Sequence, residues 1–165
     1  AILSKPDFTD AHLNLGSVLR KEGKWSEAEL QLKAAIALSP LAPGAHNEMA
    51  KLDQDMGQTA EAEAEFKKSL EVTPNVTALD GLGGIDMQVG HFSVARAEFQ
   101  RALMLDAYDS QARFGMAAVD ASAGLSRQAS AEYQAGLQTD PKNALALVAL
   151  EKLKSNLGHD HPSAH

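Results

Sequence analysis

The sequence predicts an all-α solenoid of stacked helix pairs, and three observations carry that reading. Pro6, Pro40, Pro74 and Pro141 stand on a beat of about 34 residues, with Ala107 where the remaining beat falls. Gly23, Gly57, Gly90 and Gly124 keep a second comb in step with the first. Each is followed five residues later by an alanine, namely Ala28, Ala62, Ala95 and Ala129. Between the combs the apolar residues recur at helical spacing. A unit of this size buries its apolar face only against its neighbours, so function is sought on a surface that the units share.

In the first unit Ala11, Leu15, Val18 and Leu19 recur at helical spacing until Gly23 supplies a C-terminal signal. Ala28, Leu32, Ala35 and Ile36 then resume the period, which reads as helix, short turn, helix. Equivalent slots of the second helices keep their size along the chain. Leu32, Phe66, Phe99 and Tyr133 are large, whereas Ala35, Ser69, Ala102 and Gly136 are small. Large residues need small ones opposite for two helix backbones to approach closely, so this alternation is a packing device.

Leu15-Gly16, Leu19, Ala28, Leu32, Ala35 and Pro40 together resemble the tetratricopeptide repeat. Its pattern sets a tryptophan, Leu-Gly, a tyrosine, an alanine, a phenylalanine and a proline over about 34 residues. The resemblance covers nearly the whole chain. It implies a right-handed α-solenoid of antiparallel helix pairs, with units at 9–42, 43–75, 76–109 and 110–143 and a capping helix at 144–157. The chain departs from the pattern in several slots. The tryptophan slot holds His12, His46, Leu79 and Arg113, and the tyrosine slot holds Leu19, Asp53, Asp86 and Asp120. Met49-Ala50 and Met116-Ala117 replace Leu-Gly.

The ends are read from the same register. Ala1 and Pro6 fall 34 residues before Ala35 and Pro40, so residues 1–7 are expected to close the second helix of a preceding repeat. Leu145 to Leu157 is expected to be a capping helix in which Leu147 and Leu150 continue the buried stripe and Glu151 and Lys154 face outward. Residues 158–165 show no apolar period and are expected to form a disordered tail.

Composition narrows the function classes. Hydrophobic residues make up 44% of the chain, enough for a packed array, and no stretch reaches the roughly 18 apolar residues of a membrane span. No membrane insertion is therefore expected. A formal net charge of −7 argues against a phosphate-binding surface and hence against nucleic acid. The absence of cysteine excludes disulfides and thiolate metal sites and leaves the compartment open, cytoplasmic or periplasmic.

Candidate chemistry is sparse. His12 and His46 occupy equivalent slots but lack the third and fourth ligands that zinc takes, so they read as half-buried imidazoles. His159, His161 and His165 with Asp160 offer either a loose chelate or a mobile tail. Asp53, Asp86 and Asp120 form a ladder at the repeat spacing, expected at solvated or hydrogen-bonded helix edges because unpaired like charges are costly in a core. Glu61, Glu63 and Glu65 are read as a solvated face, with Glu63 and Lys67 as an i,i+4 pair. Trp25 and Phe92 are read as pins of their helical turns. No catalytic residue, metal or other cofactor is expected.

The resemblance places ligand contacts on the first helices. Carried over residue by residue, the groove holds Leu13, Asn14, Ser17, Arg20 and Lys21 in the first unit and Asn47, Lys51 and Gln54 in the second. The third gives Asp80, Gly81, Gly84, Met87 and Gln88, and the fourth gives Phe114, Ala118 and Ala121. The first half is polar. The second is small and apolar, with Met87 and Phe114 as anchors and Arg20, Lys21 and Lys51 steering an acidic portion of the ligand toward the first. Neither the lysine, asparagine and arginine clamp for chaperone C-termini nor an asparagine ladder is present. The implied function is a non-catalytic scaffold for a protein or peptide partner. The alternative is a regulatory or substrate-recruiting arm of a larger enzyme such as a glycosyl- or sulfotransferase. Weak self-association through the unpaired N-terminal repeat face is the further expectation on partners.

Overall fold

Four glycines set the backbone of this chain, because each closes one helix and launches the next. Gly23, Gly57, Gly90 and Gly124 adopt φ of 74°, 75°, 83° and 75°, the left-handed region that glycine enters without a Cβ penalty. At the first of them Lys24 N–H donates to the Leu19 carbonyl at 2.9 Å and Gly23 N–H to the Arg20 carbonyl at 3.0 Å. That bond pair caps the helix C-terminus and recurs at all four glycines, from Gln58 to Asp53, His91 to Asp86 and Leu125 to Asp120.

The computed structural model describes the backbone of residues 5–159 and the side chains of residues 8–155. The expectations placed on Ala1 to Ser4 and on His161, His165 and Asp160 lie outside these residues. Nine helices run through the described residues: α1 (Lys5–Lys21), α2 (Trp25–Leu38), α3 (Pro43–Asp55), α4 (Thr59–Val72), α5 (Val76–Gln88), α6 (Phe92–Leu105), α7 (Ser110–Ser122), α8 (Ser126–Thr139) and α9 (Ala144–His159). They pack as antiparallel pairs, the all-α class that the sequence predicts. The chain forms two compact units, Ala1–Gly81 and Leu82–His165, divided within α5. In the first, α1 packs on α2, α3 on α4, and α3 also touches α1 and α2. In the second, α7 packs on α6 and α8, and α9 on α8.

The core explains the glycines of the first helices. Leu32 lies so close to Gly16 that a Cβ there would stand 2.7 Å from the leucine Cγ. In the equivalent place Gly83 faces the Phe99 ring, where a Cβ would approach to 2.8 Å. The Phe99 ring also presses on a second glycine, Gly115, and the Phe66 ring presses on Gly81. Phe66 and Phe99 are 1% and 2% exposed, so neither ring has room to retreat. Gly81 is thus required by packing and is not a relaxed helix position. Gly84 differs from it, because a Cβ there would meet nothing within 4 Å.

The tryptophan slot has become a polar clip. His46 sits with Nδ1 2.7 Å from Glu65 Oε2 and Nε2 2.9 Å from the Pro40 carbonyl oxygen. Each ring nitrogen thus faces an oxygen, one on α4 and one in the preceding turn. Arg113 repeats the two bonds at the same offsets, to Glu132 at 3.0 Å and to the Ala107 carbonyl at 2.9 Å. His12 makes the cross-helix half of the clip, 2.7 Å from Gln31. Glu65 therefore does not belong to a freely solvated face. Burial pushes its carboxyl up, but hydrogen bonds from Lys68 and His46 outweigh this and hold it below the usual range.

The aspartate ladder meets expectation at Asp86, which is hydrogen-bonded at a helix edge, and departs from it in the burial of Asp53 and Asp120. Asp53 and Asp120 are 6% and 3% exposed, well inside the helix edges, while Asp86 is half-buried and 2.9 Å from His91 Nδ1. Asp120 is neutralised by Arg96 from α6. The Asp53 carboxylate accepts no hydrogen bond among the described residues, and burial together with Glu65, Glu61 and Glu29 pushes it up to about 6. Buried aspartates were not legible from a slot that normally takes tyrosine.

The buried stripes of α9 and α1 run one residue away from the expected positions at Leu147, Leu15 and Val18. On α9, Ala146 and Leu150 pack against Ala117 and Tyr133, flanked by Ala149 and Leu153. Leu147 lies off that face and is exposed, as are Leu145 and Val148. On α1, Leu15 and Val18 are about half exposed, and Gly16 and Leu19 supply the contact with α2.

Gly84→Ala is expected to raise stability by about 0.5–1 kcal/mol through helix propensity alone, whereas Gly115→Ala is expected to lower it by about 1–3 kcal/mol by driving a methyl into the Phe99 ring. Urea unfolding of both variants checks this, and equal shifts would refute the packing account. A second prediction concerns pH. Asp53 has a folded-state pKa of about 6 against 3.8 as the ordinary value. Between these values the folded chain binds more protons than the unfolded one, so this group's contribution to stability falls as pH rises through that window, by up to about 3 kcal/mol. Asp53→Asn should accordingly stabilise the fold by about 1–3 kcal/mol near pH 7.5 and by much less near pH 4. Denaturation at the two pH values reads the difference, and an unchanged gap would contradict it.

Candidate functional site

Helical periodicity brings five of the expected groove residues together in the first unit. Leu13 and Ser17 share one face of α1 with Asn14 beside them, and Asn47 and Lys51 share one face of α3. With Gly44, Glu48 and Thr77 they line a cleft of about 290 Å³. Lys51 Nζ stands 2.8 Å from Glu48 Oε1 and is one-third exposed. Burial raises the Glu48 carboxyl, but the hydrogen bond and charge of Lys51, a hydrogen bond from Ser17 and the charge of Arg20 outweigh it and hold it below the usual carboxylate range.

A chain of hydrogen bonds fixes the floor of this cleft. Asn47 Nδ2 donates to Asn75 Oδ1 at 3.0 Å, Asn75 Nδ2 donates to Ser69 Oγ at 3.0 Å, and Ser69 Oγ donates to the Pro43 carbonyl at 3.1 Å. Asn75 also caps α5 by accepting from Ala78 N–H. Among the described residues Asn47 Oδ1 has no donor. Sequence reading missed Asn75, although an asparagine three residues before a helical alanine and just after Pro74 is an N-cap signal. Gly44 was likewise outside the expected set.

Arg20 is placed differently from its expected steering role. Its Nη1 stands 2.7 Å from Asp55 and its Nε 3.4 Å from Glu48, and its side chain is 16% exposed. It ties α1 to α3 and offers little free charge. Lys21 and Gln54 are exposed and do not line the cleft, Asp80 is half-buried on α5, and Gly81 lies under the Phe66 ring.

In the second unit Gly84 faces open space, Met87, Ala118 and Ala121 are half-buried, and Gln88 is exposed. Phe114 is not a free anchor. Its ring stacks on Tyr133 with centroids 6.3 Å apart and presses on Gly136 of α8. It forms one wall of a small cleft of about 160 Å³ with Gln111, Asn143, Leu145 and Ala146. The small residue at 136 was visible in the sequence, but which ring it would receive was not.

Among the described residues no three His, Asp or Glu side chains converge to hold a metal ion, and no helix is long and apolar enough to cross a membrane.

Residues 19–82 match the family model described as the tetratricopeptide repeat. Comparison with curated proteins finds no match. Pseudomonas aeruginosa PilF shares the fold with a TM-score of 0.86 at 19% identity, covering 94% of this chain and 71% of PilF. MamA gives a TM-score of 0.72 at 19% identity, covering 93% of this chain and 84% of its own. YrrB gives 0.67 at 21% identity, covering 94% and 86%, and is described as a TPR protein with an unusual peptide-binding site. Residues 19–82 are thus a tetratricopeptide-repeat segment, and the helix pairs and glycine-turn capping bonds of that fold repeat along the described residues.

Proposed function

We propose that the chain is a non-catalytic interaction scaffold that receives an extended peptide of a partner protein in the α1–α3 cleft of its first unit. Tetratricopeptide repeats are protein-interaction repeats, and the site and mode are our reading. The observation that carries it is the cleft lined by Leu13, Asn14, Ser17, Asn47 and Lys51, in which Asn47 is held in place by its hydrogen bond to Asn75. An extended peptide supplies backbone N–H and C=O groups in alternation, which asparagine and serine side chains can meet from either side. Leu13 adds an apolar contact. Lys51, partly neutralised by Glu48, favours a ligand that is polar but not strongly acidic. The peptide-binding site named for YrrB supports this reading by analogy of fold.

Peptides selected from a random library on the full chain should shift the amide resonances of Asn14, Asn47 and Lys51. Ser17→Arg should lower their affinity at least about tenfold while leaving the melting temperature within the range of an exposed substitution. Selected peptides that bind Ser17→Arg unchanged, with shifts confined to other helices, would overturn the assignment.

A further inference from the structure

The first unit has a second cleft, on a different set of side chains, whose charges do not balance. It holds about 540 Å³ and is lined by α2 and α4 together with Met49 and Asp53 of α3. Asp53 is 6% exposed, and no described residue donates a hydrogen bond to its carboxylate. Around it stand Glu29 from α2 and Glu61 and Glu65 from α4. Lys33 of α2 is the cation lining the cleft, but its ammonium is 2.5 Å from Glu29 and two-thirds exposed, so it acts on Asp53 only at a distance.

The chain itself shows what such an aspartate takes as a partner. Asp120 and Asp53 both stand four residues before a turn glycine, Gly124 and Gly57. Asp120 is paired with Arg96, which stands six residues after the preceding turn glycine, Gly90. The residue six after Gly23, in the corresponding place for Asp53, is Glu29. A guanidinium in one repeat is thus replaced by a carboxylate in another, and the buried aspartate is retained without its counter-ion.

We propose that this cleft is a binding site for an organic cation whose guanidinium head takes the place beside Asp53 that Arg96 fills beside Asp120. The carboxylates of Glu29 and Glu61 can share the remaining N–H donors of a planar guanidinium, and Ile36 and Met49 give an apolar wall for a methylene stem. A bare metal ion does not suit the site, because its acidic side chains do not converge at ligand distances. The cation and a proton compete for the same carboxylate, and burial with three neighbouring carboxylates already pushes Asp53 up to about 6. Affinity should therefore rise with pH through that value. Other groups that titrate or carry charge there are Glu29 and Lys33 from α2, Glu61 and Glu65 from α4, and His46 and Lys68, which hold Glu65.

The test titrates the full chain with the blocked pentapeptide Gly-Gly-Arg-Gly-Gly, with its neutral citrulline counterpart and with agmatine, following the Asp53 carboxyl carbon by NMR. The arginine peptide, agmatine or both should shift that carbon, and the citrulline peptide should not. Asp53→Asn should weaken binding by about tenfold and remove most of the pH dependence. Glu29→Arg, which supplies the guanidinium from within the chain, should abolish binding and raise the melting temperature. A stronger response to the peptide than to agmatine assigns the cation to a partner polypeptide, and the reverse assigns it to a free amine. Equal binding of arginine and citrulline peptides, or unchanged binding by both Asp53→Asn and Glu29→Arg, would overturn the proposal.

Discussion

The seating of one large second-helix side chain against small first-helix residues is the constraint on which the rest of this structure depends. Where that side chain is Leu32, a glycine at Gly16 suffices, and the next first helix can carry Glu48. Where it is Phe66 or Phe99, the longer ring reaches on to Gly81 or Gly115, the slots equivalent to Glu48. The chemistry of the first-helix surface is therefore set in part from below. A leucine in the core permits a polar cleft with Lys51 and Glu48, while a phenylalanine enforces a bare backbone stretch. Interior close packing leaves no slack through which the two could be chosen independently.

Charge follows a second repeated logic. In the tryptophan slot, His46 and Arg113 bind a carboxylate on the second helix and a carbonyl in the preceding turn, replacing ring packing with donors aimed at two acceptors. In the tyrosine slot, Asp120 is matched by Arg96 and Asp53 is not. A buried carboxylate without a partner is costly, and its retention beside three glutamates is what distinguishes the α2–α4 cleft from ordinary surface acidity.

The glycine turns, the helix pairs and the small-for-large alternation were legible in the sequence, because each depends on residue type at a fixed period. Local spacing carries that information directly. Pairings across helices were not legible in the same way. Arg20 reads as an exposed basic residue until Asp55 and Glu48 are found beside it, and Phe114 reads as a groove anchor until Tyr133 and Gly136 receive it. Five of the expected groove residues do line one cleft, since helical spacing alone puts Leu13 with Ser17 and Asn47 with Lys51. The hydrogen-bonded floor under them, running through Asn75 and Ser69, joins three helices and leaves no single-segment signature.

The central claim, that ring size dictates glycine in the facing helix, is tested most directly by a double-mutant cycle of Phe66→Leu and Gly81→Ala. In the parent, Gly81→Ala should cost about 2 kcal/mol or more, because the new methyl must displace a ring that is 1% exposed. In the Phe66→Leu background the same change should cost far less or stabilise the helix, giving a coupling of about 1.5–3 kcal/mol in unfolding free energy. Additive effects of the two substitutions would contradict the account.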